Sequence, residues 1–232
     1  MMTRVRWWIS RLAPAVGYSV TLLVVGLVMT SLDDAGRRSW VAWTSTNLDN
    51  LGHHPLVALL TSAFVVEDGA PYAWVALAVA GLVSLAWRLG TWRTVVVVGA
   101  AHVVGTCVSE GIVAWQVHRG TLPGDARSLV DVGPSYIVVS ALVGAVVTGP
   151  TLARLAGAGG FGVLAPSLFG GITDLDVAAV GHVCSILLGA GLAFALLPRP
   201  SRRPPERDGG STPRPRRRSR RSAAASPTAP AR

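Results

Sequence analysis

Six long apolar segments constrain this 232-residue chain more than any other feature. Each is close to the roughly 20 residues that a helix needs to cross a hydrocarbon core. Their apolar residues lie in continuous blocks, without the helical or strand period of a soluble domain. Backbone polar groups in lipid must be satisfied within the segment, so such segments predict helices. The sequence therefore predicts an all-α, multi-pass membrane protein with spans near 14–32, 71–88, 93–115, 133–150, 152–170 and 177–197.

The charged residues divide between the two ends of these segments. One set of ends carries Arg4, Arg6, Arg11, Arg88, Arg93, Arg154 and the arginines of the C-terminal tail. Most aspartates and glutamates lie at the opposite ends. Arginine favours the cytoplasmic side of a membrane, so we expect both termini in the cytoplasm of a cell-membrane protein. An even number of spans requires the same placement of the termini.

The predicted domain organisation is a membrane domain with two cytoplasmic ends. Residues 1–13 precede the first span, 14–197 form the membrane domain, and 33–70 form its long outer loop. The segment 198–232 is rich in Pro, Arg, Ser and Ala, which predicts a disordered tail. Its basic run beside a span favours anionic lipid headgroups as partners. Without a folded module or interleaved aromatic residues, nucleic-acid binding is disfavoured.

Two polar residues inside apolar segments are the candidate catalytic pair. Ser135 follows Gly133-Pro134 at the start of the fourth segment, and His182 follows Gly181 in the sixth. A buried hydroxyl or imidazole is costly unless it is paired. Together they are also the smallest set of groups that nucleophilic serine chemistry needs, a hydroxyl and a base. The predicted topology puts both within roughly 3–8 Å of the outer ends of their helices. The sequence does not show whether these helices are neighbours.

Two further patterns have more than one interpretation. His102, Thr106 and Glu110 share one face of the third helix, and Glu110 is an ionisable residue inside a span. Glu110 either orients His182, binds the loop backbone, or belongs to a buried polar seam that fixes helix packing. The small residues Gly181, Ser185 and Gly189 mark a close helix interface, or they reflect the general abundance of Gly and Ala. No motif for a metal or cofactor occurs, so none is expected.

These residues resemble the rhomboid intramembrane serine proteases. That family has six core helices, with Gly-x-Ser-Gly opening the fourth and a catalytic histidine preceding a glycine stripe in the sixth. Gly133-x-Ser135 and His182 stand in those places, and His54-Pro55 and the turn at 89–93 are also similar. The resemblance covers about 15–197. It is strongest to rhomboid-like membrane proteins of actinobacteria, and a chain with 21 arginines and no lysine fits a GC-rich genome.

The resemblance implies a six-helix rhomboid-like bundle that cleaves transmembrane protein substrates near the outer face. Ser135 would attack a peptide carbonyl while His182 accepts its proton. Gly133 and Gly181 would support the site, together with Glu110 and Thr106.

Three departures from the family pattern favour an alternative function. Tyr136 replaces the second glycine of the motif, and Pro134 has no N–H. The second span also lacks the His and Asn that usually complete the oxyanion hole. The alternative is a proteolytically inactive rhomboid-like protein that binds transmembrane helices as clients. A small transporter is less well supported, since the two halves show no repeat. The sequence leaves the oligomeric state open.

Overall fold

The computed structural model describes residues 2–67 and 71–198, and within these ranges the chain is helical without strands. Three short helices, α2 (Asp34–Thr44), α3 (Leu48–His53) and α4 (Pro55–Ser62), follow the first long helix. The six long helices are α1 (Met2–Ser31), α5 (Tyr72–Leu89), α6 (Thr91–His118), α7 (Ser135–Thr148), α8 (Thr151–Leu168) and α9 (Val177–Ala195).

Each of the six predicted segments contains one long helix, which confirms the all-α membrane class. Four described helices are long and apolar enough to cross a membrane: part of α1, α5, α6 and α9. The helix α7 is apolar but has only 14 residues, about 21 Å of helix. The helix α8 has 18 residues but carries Pro166. The six-span count and the predicted tail remain predictions, and the tail lies outside the described residues.

The predicted outer loop, 33–70, contains local helices that the sequence analysis did not anticipate. The carboxylate of Asp33 accepts a hydrogen bond from the N–H of Gly36 and caps α2. The side chain of Asn47 caps α3 in the same way, through the N–H of Asn50. Pro55 is the first residue of α4, where its missing N–H costs no helical hydrogen bond.

The helix α7 is the centre of the bundle and packs against α5, α6, α8 and α9. Most of its residues are buried, and Val138, Val139 and Leu142 are completely enclosed. A helix that is apolar on all sides is stable only when other elements or lipid surround it. This central position brings the first residue of α7 next to the loops at one end of the bundle.

The small residues of α9 lie in close helix contacts. The Ser185 hydroxyl donates a hydrogen bond to the carbonyl oxygen of Ala101 on α6, at 3.1 Å. A Cβ atom added to Gly189 would lie 2.7 Å from the Cα of Ser140 on α7. Gly181 faces the side chain of Tyr136, also on α7. The stripe is therefore an interface with two neighbouring helices.

We predict that Gly189→Ala destabilises the bundle by about 1–3 kcal/mol, because the added methyl group overlaps the backbone of α7. The matched control is Gly191→Ala on the same helix, where no atom lies within 4 Å of the added Cβ. That control should leave the stability unchanged or slightly higher. Thermal unfolding of both variants in detergent measures the difference, and equal melting temperatures would contradict the α7–α9 contact.

Candidate functional site

The candidate site lies at the acid-rich end of the bundle, where α7 and α9 begin. Asp131 and Asp176 both lie in the loops at this end. The chain enters α7 through Gly133, whose φ of +140° is a conformation that side chains rarely adopt. The Gly133 N–H donates to the carbonyl oxygen of Ser62, at 2.9 Å. This hydrogen bond fixes the turn that makes Ser135 the first residue of α7.

Ser135 is half-buried, and its hydroxyl makes no hydrogen bond to any described residue. It lines a shallow recess that has no room for a water molecule, together with Thr46, Ser62, His102, Asp131, Val132, Gly133 and Tyr136. The first backbone N–H groups of a helix have no hydrogen-bond partner within the helix. This end of α7 therefore offers hydrogen-bond donors to a bound group. Pro134 contributes none of them.

His182 is buried, and a hydrogen bond to α8 orients its ring. Its Nδ1 lies 2.9 Å from the carbonyl oxygen of Leu168. A carbonyl oxygen only accepts, so Nδ1 carries the hydrogen and Nε2 is left with a lone pair. That Nε2 atom is enclosed and has no hydrogen-bond partner in the described chain. A free Nε2 is the form of imidazole that can take a proton.

Tyr136 occupies the space between the start of α7 and His182. Its ring meets the imidazole edge to face, with centroids 5.3 Å apart at 85°. A Cβ atom added to Gly181 would overlap the Tyr136 hydroxyl, so only glycine fits there. The hydroxyl lies 3.3–3.4 Å from the carboxylate of Asp131 and 3.4 Å from the carbonyl oxygen of Val177. No hydrogen bond joins Ser135 to His182 in the described structure.

Asp131 connects the outer loop to this site. Its carboxylate accepts a hydrogen bond from the Thr46 hydroxyl at 3.2 Å, and its backbone N–H donates to the Ser45 hydroxyl at 2.9 Å. Burial raises the pKa of Asp131 to about 6, and the charge of Asp176 acts in the same direction. Hydrogen bonds from Thr46 and Tyr136 oppose this rise in pKa, because they stabilise the carboxylate.

The polar residues of α6 form a buried seam beside Tyr136. His102 donates from Nε2 to the carbonyl oxygen of Leu59 at 2.8 Å, and its ring centroid lies 6.0 Å from that of Tyr136. Thr106 and Glu110 are buried on the same helix. Five buried side-chain polar atoms in the described residues have no partner, and four belong to this region: His102 Nδ1, Thr106 Oγ1, Glu110 Oε1 and His182 Nε2. Unsatisfied buried groups are rare in native structures, so this cluster is the candidate site.

The structure brings some of the predicted site residues together and leaves others apart. Gly133 and Gly181 both shape the surroundings of Tyr136 and Ser135. Glu110 belongs to the α6 seam but makes no hydrogen bond to His182. The sequence analysis placed His102 in that seam without linking it to Ser135, and it did not include Asp131 in the site. No group of three or more metal-ligating residues forms within 2–67 and 71–198.

We predict that Asp131→Asn changes how the stability of the protein depends on pH. The pKa of Asp131 in the folded protein lies above the ordinary value of 3.8, so the unfolded chain loses this proton first as the pH rises. Stability should therefore fall between pH 4 and 6 by at most about 3 kcal/mol and then level off.

Asp131→Asn should lack this fall, while Asp125→Asn, at an exposed carboxyl, should retain it. Thermal unfolding of the three proteins across this pH range measures the effect. Parallel pH profiles for the wild type and Asp131→Asn would contradict the raised pKa.

Comparison with known proteins agrees with this architecture. A family model described as rhomboid-like protein matches residues 10–202, most of the chain. No curated protein matches the sequence. No solved structure matches it either. Since the family model covers well over half of the chain, the protein belongs to the rhomboid-like family of membrane proteins.

Proposed function

We propose that the protein is an intramembrane serine protease of the rhomboid-like type, with Ser135 as nucleophile and His182 as general base. The observation that carries this proposal is the enclosed, unpartnered Nε2 of His182 beside Tyr136, on a helix packed against the one that begins with the half-buried Ser135. A residue with a purely structural role would be expected to satisfy its buried nitrogen. His102 of the α6 seam, which also has an unpartnered nitrogen, lies beside the same tyrosine.

In the proposed reaction, the Ser135 oxygen attacks the carbonyl carbon of a peptide bond in a transmembrane substrate. His182 Nε2 takes the serine proton, and the Nδ1–H bond to Leu168 holds the resulting imidazolium in place. The imidazolium then gives the proton to the leaving amine, which breaks the peptide bond and leaves an acyl ester on Ser135. Water, deprotonated by His182, hydrolyses the ester and regenerates the serine. Backbone N–H groups in the first turn of α7 would stabilise the oxyanion.

The described arrangement would be the closed state of this enzyme, because Tyr136 packs against the imidazole and no hydrogen bond joins the imidazole to Ser135. The hydrogen bonds of its hydroxyl are long, at 3.3–3.4 Å, and therefore weak. Movement of the Tyr136 ring would open a path from Ser135 to the imidazole. Catalytic hydrogen bonds in unliganded enzymes are often formed only when the substrate binds.

The same proposal includes a membrane orientation. The end of the bundle with Arg88, Arg93 and Arg154 would face the cytoplasm of a cell-membrane protein, with both termini on that side. Ser135 and His182 would then lie near the outer face. Cleavage would occur close to the outer end of a substrate helix.

We expect a fluorophosphonate probe to label the purified protein in detergent. Labelling should disappear in Ser135→Ala and fall at least a hundredfold in His182→Ala, since the hydroxyl is weakly nucleophilic without its base. Ser140→Ala is a matched control on the same helix, because its hydroxyl donates only to the carbonyl oxygen of Ile137. Absence of labelling in a folded wild-type sample would contradict the protease.

A second candidate function is a rhomboid-like protein that binds transmembrane helices without cutting them. The specific observation in its favour is the packing of Tyr136 against both Gly181 and the imidazole of His182. The first turns of α5 also carry neither a His nor an Asn as an oxyanion donor. Under this function Ser135 and His182 would be structural residues.

The variant Tyr136→Ala separates the two functions. If Tyr136 closes an active site, its removal should increase the rate of fluorophosphonate labelling at least fivefold, at a stability cost of about 3–5 kcal/mol. Tyr136→Phe keeps the ring and tests the hydroxyl alone, so it serves as the milder variant. Labelling is measured below the melting temperature of each variant, with Ser135→Ala added as the background. No labelling in either folded variant would favour the non-cutting protein.

A further inference from the structure

An open apolar groove runs along the outside of the bundle between α5 and α8, far from the candidate site. The helix α5 contributes Val79, Val83 and Trp87, and α8 contributes Leu152, Ala153 and Ala156. The groove has a volume of about 360 Å³, and Ser84 is the one residue with a hydroxyl among those that line it. From Val79 to Trp87 the groove follows about 12 Å of helix. Its length and composition suit part of a hydrocarbon chain.

Two arginines are anchored beside one end of this groove. Arg88 donates from Nε to the carbonyl oxygen of Thr148, at 2.8 Å. Arg154 donates from Nε to the carbonyl oxygen of Gly149, also at 2.8 Å. Thr148 and Gly149 are consecutive residues where α7 ends and the turn to α8 begins, so both arginine side chains are held at this turn. That turn continues directly into Pro150 and Leu152, which line the groove.

Most of the hydrogen-bonding capacity of the two arginines is unused. A guanidinium group has five N–H donors, and in each arginine only Nε is bonded to another described residue. Both side chains are exposed, and the ion pairs in the described chain, Arg37–Asp34 and Arg127–Asp49, involve neither of them. Every described aspartate and glutamate lies toward the acid-rich end. Neither arginine therefore has a counter-charge among the residues that the structure describes.

The start of α8 adds to the positive potential at this place. No side chain caps α8 at Pro150, so its first N–H groups are open, and the helix dipole favours a negative charge there. Two guanidinium groups held at one turn suit a phosphate, which binds arginine through paired hydrogen bonds. A free phosphate would leave the adjoining apolar groove without a role, whereas a phospholipid uses both features.

We propose that an anionic phospholipid binds at this end of the bundle, with its phosphate on Arg88 and Arg154 and an acyl chain in the α5–α8 groove. The two arginines would bind the anionic headgroup, and the apolar groove would hold the acyl chain attached to that headgroup. The site is part of the folded bundle and does not depend on the protease proposal. A bound lipid would also join α5, α8 and the end of α7, and so stabilise the contact between these helices.

The test is native mass spectrometry of the full chain in detergent, titrated with phosphatidylglycerol or with phosphatidylcholine of identical acyl chains. We expect phosphatidylglycerol to bind at least tenfold more tightly than phosphatidylcholine. The double variant Arg88→Gln/Arg154→Gln should lose this preference. Arg93→Gln, which removes an exposed cation at the same end, is the matched control and should retain it. An unchanged preference in the double variant would overturn the proposal and assign the lipid to other basic residues.

A second variant tests the groove without altering the arginines. Ala156→Phe places a bulky side chain in the groove and should weaken phosphatidylglycerol binding at least fivefold. Glycerol phosphate, which has no acyl chains, should not compete at equal concentration. Equal competition by glycerol phosphate, or unchanged binding in folded Ala156→Phe, would overturn the lipid in favour of a simple anion site. Thermal unfolding without added lipid checks that each variant is folded.

Discussion

The geometry of the candidate site depends on the packing of Tyr136 against Gly181. The missing side chain of Gly181 lets the tyrosine ring lie between α7 and α9, and that ring sets the distance between the first turns of the two helices. The hydroxyl of Tyr136 reaches Asp131, which in turn holds the loop at Thr46. One aromatic side chain thus links the central helix, the last helix and the outer loop.

This packing leaves several polar groups enclosed but unpaired. An unsatisfied buried donor or acceptor costs about 1–3 kcal/mol, so the seam of His102, Thr106 and Glu110 lowers the stability of the fold. The apolar core around Val138 and Leu142 supplies the opposing stabilisation. Strained or unsatisfied groups persist where the surrounding structure is rigid, and such places are typically functional. The proposed protease uses one of these groups, His182 Nε2, together with the half-buried Ser135 hydroxyl, and it requires Tyr136 to move.

The sequence predicted the helical segments well, because a run of about 20 apolar residues has few other structures available in lipid. It also predicted that Ser135 and His182 lie near the same end of the bundle. The role of Tyr136 could not be predicted, since its contact with Gly181 joins residues 45 positions apart. The same holds for His102, whose neighbour Leu59 belongs to a different segment. The short helices α2–α4 were missed because they have no long apolar period: side-chain caps start α2 and α3, and Pro55 starts α4.

The central claim is that His182 is held as a neutral base with a free Nε2, ready for Ser135. The most direct test is ¹⁵N NMR of the histidine-labelled protein at neutral pH, with His182→Gln used to assign the signal. The account predicts a neutral ring with the proton on Nδ1, bonded to Leu168, and an unprotonated Nε2. A proton on Nε2, or a fully protonated imidazolium in the unliganded protein, would contradict it.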